Sequence, residues 1–165
     1  MTDDVLAASL AEGPHALLAT LVGDWAGATR TWFTPGELGD ESETTGTVRA
    51  VLGGRFVVHR YRGSLVGEEM EGQATLGFDV ARIRFVCAWV DSVHNGTAIM
   101  LSEGEPGATD AISVLGGYRA GDGARWGWRT TFARPSVDEL VISHYNVPPA
   151  GDEYLGVETR YERVA

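Results

Sequence analysis

Cysteine is almost missing from this chain. The single thiol, Cys87, sits in mid-strand among apolar neighbours, which excludes a disulfide framework, a CxxC redox motif and a Cys/His metal cluster. By itself it reads as a small buried hydrophobe. Positive charge is scarce too: 13 Lys and Arg against 23 Asp and Glu leave a net charge of -10, which repels a phosphate backbone and an anionic membrane surface alike. No nucleic-acid or membrane partner is expected. Long apolar runs are absent, none approaching the roughly 18 residues of a membrane span. The opening MTDDVLAASLAEG carries two acids where a secretion signal needs positive charge, so a cytoplasmic location is expected. Nor is there a nucleophile elbow, P-loop, dinucleotide fingerprint or HExxH. Neither metal nor haem is expected, and no cofactor is called for.

Glycine is what the chain has in quantity. The 22 glycines in 165 residues are nearly twice the usual share of roughly 7%. They fall between apolar runs, as the turns and bends of an all-β fold require. One domain over residues 1–165 is expected, with 44% hydrophobic and 22% charged residues supplying an ordinary soluble core.

The clearest structural statement is Leu76 to Gly104, read as two strands joined by a short turn. Ile83, Phe85, Cys87 and Trp89 share one face at period two, Arg82 and Arg84 begin the other, and Asn95-Gly96 supplies the turn before Thr97 to Leu101 leads back. The one helical region, Val5 to Leu21, is interrupted at Gly13-Pro14 and presents Leu17, Leu18 and Leu21 on one face. It forms a cap over about residues 5–22, with the strands over about residues 24–164.

The strands expected before the hairpin are Trp25 to Phe33, Glu43 to Leu52 after a polar loop TPGELGDES, Arg55 to Gly63, and Glu68 to Asp79. Those after it are Asp110 to Tyr118, Ala124 to Arg134, Val137 to Val147, and Gly151 to Val164. About ten consecutive strands with short links make an antiparallel meander, and closing it into an up-and-down β-barrel removes the exposed edges.

The segments LVGDWAG, VLGGRFVVHRYRG, MEGQATLGFD, AWVDS, LSEG and VETRYERV resemble the bacterial domain-of-unknown-function family 1579, which groups with the calycin-like, lipocalin-like barrels. The likeness runs from Pro14 to Val164. It implies a barrel with an internal cavity, related in architecture to lipocalins, fatty-acid-binding proteins and nitrobindins. Gly23-Asp24-Trp25 is similar to the lipocalin opening whose tryptophan packs across the barrel floor. Thr159 to Val164 is similar to the closing strand of fatty-acid-binding proteins, but Tyr161 and Arg163 reverse the Arg-x-Tyr order of their carboxylate clamp. Nitrobindin-type haem ligation needs a histidine near the chain end, and none follows Asn146.

Candidate site residues follow from the barrel. Trp25, Tyr61, Trp89, Trp128 and Tyr161 are expected to line a cavity, as are Phe85 and Trp126 from the same aromatic set, with His59, Asp91, Arg129 and Arg163 as polar orienting groups. His144 has the same inside-or-outside ambiguity as His59, and His94 beside the turn is expected in solvent. Asp91 and Glu103 are read as two carboxylates meeting near one mouth, where one could serve as acid or base; with His59 they are the catalytic candidates. Glu68, Glu69 and Glu71 read as a charged edge. The expected function is binding of a small, largely apolar molecule with a polar end. A cofactor-independent cyclase or isomerase, or a filled structural barrel, are the alternatives, and a homodimer is left open.

Overall fold

The computed structural model describes residues 3–165. Two short helices open the chain, α1 (Asp3–Glu12) and α2 (Pro14–Ala19), divided where Pro14 enters as the first residue of a new helix. Ten strands follow: β1 (Gly23–Thr34), β2 (Glu37–Val51), β3 (Phe56–Leu65), β4 (Glu68–Asp79), β5 (Arg84–Asp91), β6 (Met100–Gly104), β7 (Ile112–Arg119), β8 (Arg125–Ser136), β9 (Glu139–Val147) and β10 (Tyr154–Arg163). Each pairs antiparallel with its neighbours in sequence, and β1 pairs with β10, from Trp25↔Arg163 to Thr31↔Val157, to close the barrel. The expected all-β, up-and-down architecture is what the chain adopts, with no unpaired sheet edge among the described residues. Among the described residues no helix is long and apolar enough to cross a membrane.

Side chains alternate between inside and outside as strand geometry requires. At the end where β1 begins, Leu18 and Leu21 join Trp25, Val48, Val57, Leu76, Phe85, Ile112 and Leu140 in a floor where each is at most 3% exposed. α2 covers this floor, and α1 packs on α2. The His15 ring, hydrogen-bonded through Nδ1 to Ser9 Oγ at 2.7 Å, joins them and lies edge-on to Phe78, 6.1 Å between centroids.

Three local expectations are corrected. The polar stretch TPGELGDES is not a loop: Gly36 at φ +77° makes a tight turn, and β2 runs on from Glu37 as an exposed extension paired to β1 through register shifts at Trp32. Ile83 does not share the face of Phe85. It lies in the turn before β5, at φ +53° and 64% exposed, because period two holds only inside a strand. Between β5 and β6 there is no tight turn but a loop over residues 92–99, with Met100, not Thr97, starting the return strand opposite Trp89.

Candidate functional site

The end of the barrel opposite the helices is lined differently. Inward residues of β3, β5, β8, β9 and β10 bring His59, Tyr61, Trp89, Trp128, His144 and Tyr161 around a chamber of about 40 Å³, enough for a water-sized molecule or two. A cleft of about 360 Å³ opens above it, lined by Phe33, Tyr118, Asn146 and Tyr154 among others, with Trp89, His94, Trp128 and Val157 common to both spaces. Small-molecule sites start at about 300 Å³. Ring packing leaves the chamber itself nearly filled, and most of the free space lies in the cleft above it. Larger depressions of about 550 and 830 Å³ lie on the outer wall, the first among Thr45, Arg60, Arg62 and Gln73, the second where Gly117 and Gly127 leave gaps between side chains. Tyr61 and Asp91 also border the first, and Cys87 and Ser102 the second.

The chamber's polar groups are tied to one another. Thr29 Oγ1 lies 2.7 Å from both Thr44 Oγ1 and Thr159 Oγ1, His59 Nε2 lies 3.1 Å from the Tyr161 hydroxyl, and Thr130 Oγ1 lies 2.9 Å from His144 Nδ1. Trp89 Nε1–H donates to the Tyr61 hydroxyl at 3.0 Å. Room for the tyrosines comes from missing side chains: a Cβ at Gly46 would lie 2.5 Å from the Tyr161 hydroxyl, and one at Gly72 2.2 Å from that of Tyr61. Trp89, Trp128 and His144 form a near-parallel cluster with centroids 5.3 to 5.9 Å apart and planes within 20°. One buried polar atom in this cluster stays unpaired: Trp128 Nε1 has no acceptor.

Burial dictates protonation. Desolvation lowers His59 to about 4. Desolvation, reinforced by the neighbouring His94 and His59 and opposed by Asp91, lowers His144 to about 3. Both are neutral at pH 7. Desolvation also raises the Tyr61 and Tyr161 hydroxyls and pushes the Cys87 thiol up to about 12, so Cys87 is an inert wall residue.

Asp91 ends β5 with its side chain 0% exposed, the only acidic residue buried among the described residues. Its Oδ1 accepts the backbone N–H groups of Val93, His94 and Asn95 at 2.7 to 3.3 Å, and its Oδ2 meets the His94 ring at Nδ1. Burial alone would raise its pKa, but the hydrogen bonds and charge of His94 and the backbone donors outweigh that and lower it, so the carboxylate is ionised. The loop over residues 92–99 is thus folded back, and His94 is not in solvent. Its side chain is 27% exposed and its ring rests 5.7 Å from Trp89 and 6.2 Å from Trp128.

The structure does not bring every expected site residue together. Trp25 belongs to the floor: its Nε1–H donates to Leu21 O at 3.0 Å, and the Arg163 guanidinium stacks 4.3 Å above its ring. Arg163 Nη1 donates to Val22 O at 2.8 Å, so it seals the closed end and reaches no cavity. Arg129 projects outward between the inward Trp128 and Thr130 and pairs with Glu153 at 2.9 Å. Glu103 never meets Asp91. Antiparallel pairing sets it opposite Val86, on the outer face towards the helical end, where Arg82 binds it at 2.5 Å. Asp91 faces inward but is not in the chamber wall, which it meets through the His94 ring. Phe85 joins the floor, and Trp126 packs at the rim against Tyr118 and Tyr154.

Several lining residues were missed by the sequence reading, notably Thr29, Thr130, Thr159 and the paired Tyr118 and Asn146, whose O–H···Oδ1 bond is 2.8 Å. Their signal was parity: Thr29 is in phase with Trp25, Thr130 with Trp128 and Thr159 with Tyr161. Among the described residues no three His, Cys, Asp or Glu side chains converge as a metal site.

A ten-stranded barrel sealed at one end by helices and open at the other over a small polar chamber defines the class, a calycin-like barrel. Within that class the chain belongs to the family described as protein of unknown function DUF1579, whose model matches residues 11–163. No curated protein matches it. Among solved structures it is similar to Rv2717c from M. tuberculosis, with TM-score 0.65 and 14% identity over 92% of this chain and 98% of that one. It is also similar to the S-type phycobiliprotein lyase CPES from Guillardia theta, with TM-score 0.57 and 12% identity over 91% of this chain and 92% of that one. Both likenesses concern the fold.

Proposed function

We propose that this protein binds a small, largely apolar molecule with a polar end in the upper half of its barrel, in the cleft that meets the chamber at Trp89, His94 and Trp128. The observation that carries the reading is the Trp128 Nε1–H, buried without an acceptor on an indole that walls both spaces. A buried unpaired donor is worth roughly 1–3 kcal/mol of destabilisation, which an acceptor on a ligand would remove. The cleft has the volume for such a molecule and the chamber does not, so the apolar body sits against Trp89, Trp128 and Phe33.

Titration with 1-naphthol, an apolar bicycle with one polar end, should quench tryptophan fluorescence saturably. Mass spectrometry of the purified protein under native conditions should find a co-bound small molecule. No saturable response and no co-purifying molecule would sink the reading.

A second reading has its own observation, the contact of the buried Asp91 carboxylate with the His94 ring at the cleft wall, an arrangement suited to proton transfer in a cofactor-independent isomerase or cyclase. Asp91→Asn separates the two: turnover of the molecule found in the protein is lost with affinity largely kept if the pair transfers protons.

A further inference from the structure

Resting on that reading, we infer that the ligand is a planar nitrogen heteroaromatic carrying a ring N–H and a nearby ring nitrogen or carbonyl acceptor, an azole or a fused bicycle of the purine or pteridine type, which binds by displacing the imidazole of His94. His94 is itself a planar N-heterocycle, and it occupies the position such a ligand would take. Its ring rests against both indoles that wall the cleft, 5.7 Å from Trp89 and 6.2 Å from Trp128, tilted 38° to each. Its Nδ1 meets Oδ2 of Asp91.

The two carboxylate oxygens are not equivalent. Oδ1 is committed to three backbone N–H groups of the loop, whereas the one partner of Oδ2 is the imidazole. A buried carboxylate keeps its charge only while a donor faces it, so the molecule that replaces His94 must bring an N–H of its own. A hydrocarbon could fill the aromatic face but would leave Oδ2 desolvated and unpaired.

The second requirement comes from the opposite indole. Trp128 Nε1–H has no acceptor, and the imidazole, paired with Asp91, does not supply one. A heterocycle with an acceptor edge beside its N–H edge satisfies Asp91 and Trp128 together. Asn95, Asn146, Tyr118 and Tyr154 around the 360 Å³ cleft supply further amide and hydroxyl edges of the kind that read heterocycle substituents. Beyond Asp91 the loop is anchored at its base, where Ser92 and Glu71 exchange two hydrogen bonds at 2.9 and 3.0 Å, and by Asn95 Nδ2 on Trp89 O at 3.5 Å, while Val93 and Ile99 are 41% and 64% exposed; displacement needs only the His94 ring to swing out.

The test compares benzimidazole, 1-methylbenzimidazole and naphthalene by fluorescence titration of the full chain, as wild type and as His94→Gly, alongside the 1-naphthol titration. In the wild type, benzimidazole should bind at least about tenfold more tightly than either the methylated ring, which lacks the N–H, or naphthalene. His94→Gly, freed of its internal competitor, should bind benzimidazole about tenfold or more tighter than the wild type does. If His94→Gly does not fold, the wild-type comparison of benzimidazole with its N-methyl form decides alone. Equal binding of benzimidazole, the methylated ring and naphthalene, with 1-naphthol still bound, overturns this inference and leaves the apolar-ligand reading standing. Absence of binding by all four probes overturns both.

Discussion

The two ends of this barrel are built from the same ten strands yet packed on different terms. At the helical end, Trp25, Val48, Val57, Leu76, Ile112 and Leu140 are at most 2% exposed, and the polar atoms present, Trp25 Nε1 and the Arg163 guanidinium, are spent on backbone carbonyls of Leu21, Val22 and Val137. At the open end, histidines, tyrosines and threonines point inward, pair with each other, and leave one indole N–H unpaired. A core needs only the first kind of packing. Buried polar groups stabilise a fold little and destabilise it when unpaired, and their gathering in one half is what supports the proposal that a ligand is received there.

The largest effect should come from the closed end. Trp25→Ala removes the ring that spans the floor and should destabilise the protein by about 3–5 kcal/mol in urea denaturation, while any folded fraction still answers 1-naphthol. Loss of the probe response with stability intact would reverse the assignment of the two ends.

Acid should act next, chiefly at the other end, with His15 in the helical cap, its pKa also lowered by burial, adding a loss of the same sign. His59 and His144 have folded pKa values below the unfolded 6.5, so their contribution is fully present above pH 6.5 and is lost as pH falls toward about 4 and about 3. The expected slope is about 1.4 kcal/mol per pH unit for each imidazole, read from urea midpoints at pH 7, 6 and 5. Asp91, with its pKa also lowered, adds a loss of the same sign only below its unfolded value of about 3.9. A flat profile between pH 7 and 5 would place the histidines in water and erase the contrast between the ends.

Asp91→Asn should weaken the fold by about 1.5–3 kcal/mol, through loss of charge-assisted bonds to the loop. Hydrogen exchange should show the amides of His94 and Asn95 losing protection while those of the floor strands keep theirs. Smallest of all, Arg129→Ala removes a partly exposed outer ion pair with Glu153 and should change stability by less than about 1 kcal/mol, with the 1-naphthol response unaltered. A weakened response would return Arg129 to the site.

Much of the barrel was legible along the chain because strand parity is local. Alternation set Val57, His59 and Tyr61 on one face and Val58, Arg60 and Arg62 on the other, the structure makes the first face the inner one, and the same rule applied to Trp128 would have set Arg129 opposite it. The turn glycines and the Gly13-Pro14 break were equally direct. What parity could not supply was height in the barrel. Trp25 and Trp89 read alike as inward aromatics, but one plugs the floor and the other walls the cleft, and only closure of β1 on β10 decides which.

By itself, then, the sequence determined an all-β chain of ten alternating strands with a helical cap, since period, turn residues and composition act over a few residues at a time. The tertiary structure alone decided that Glu103 lies opposite Val86 and far from Asp91, that the chamber is nearly full, and that His94 folds back from its loop onto two indoles. Those facts depend on register, closure and the burial of a single carboxylate, which are relations between residues distant in the chain, and no local pattern encodes them.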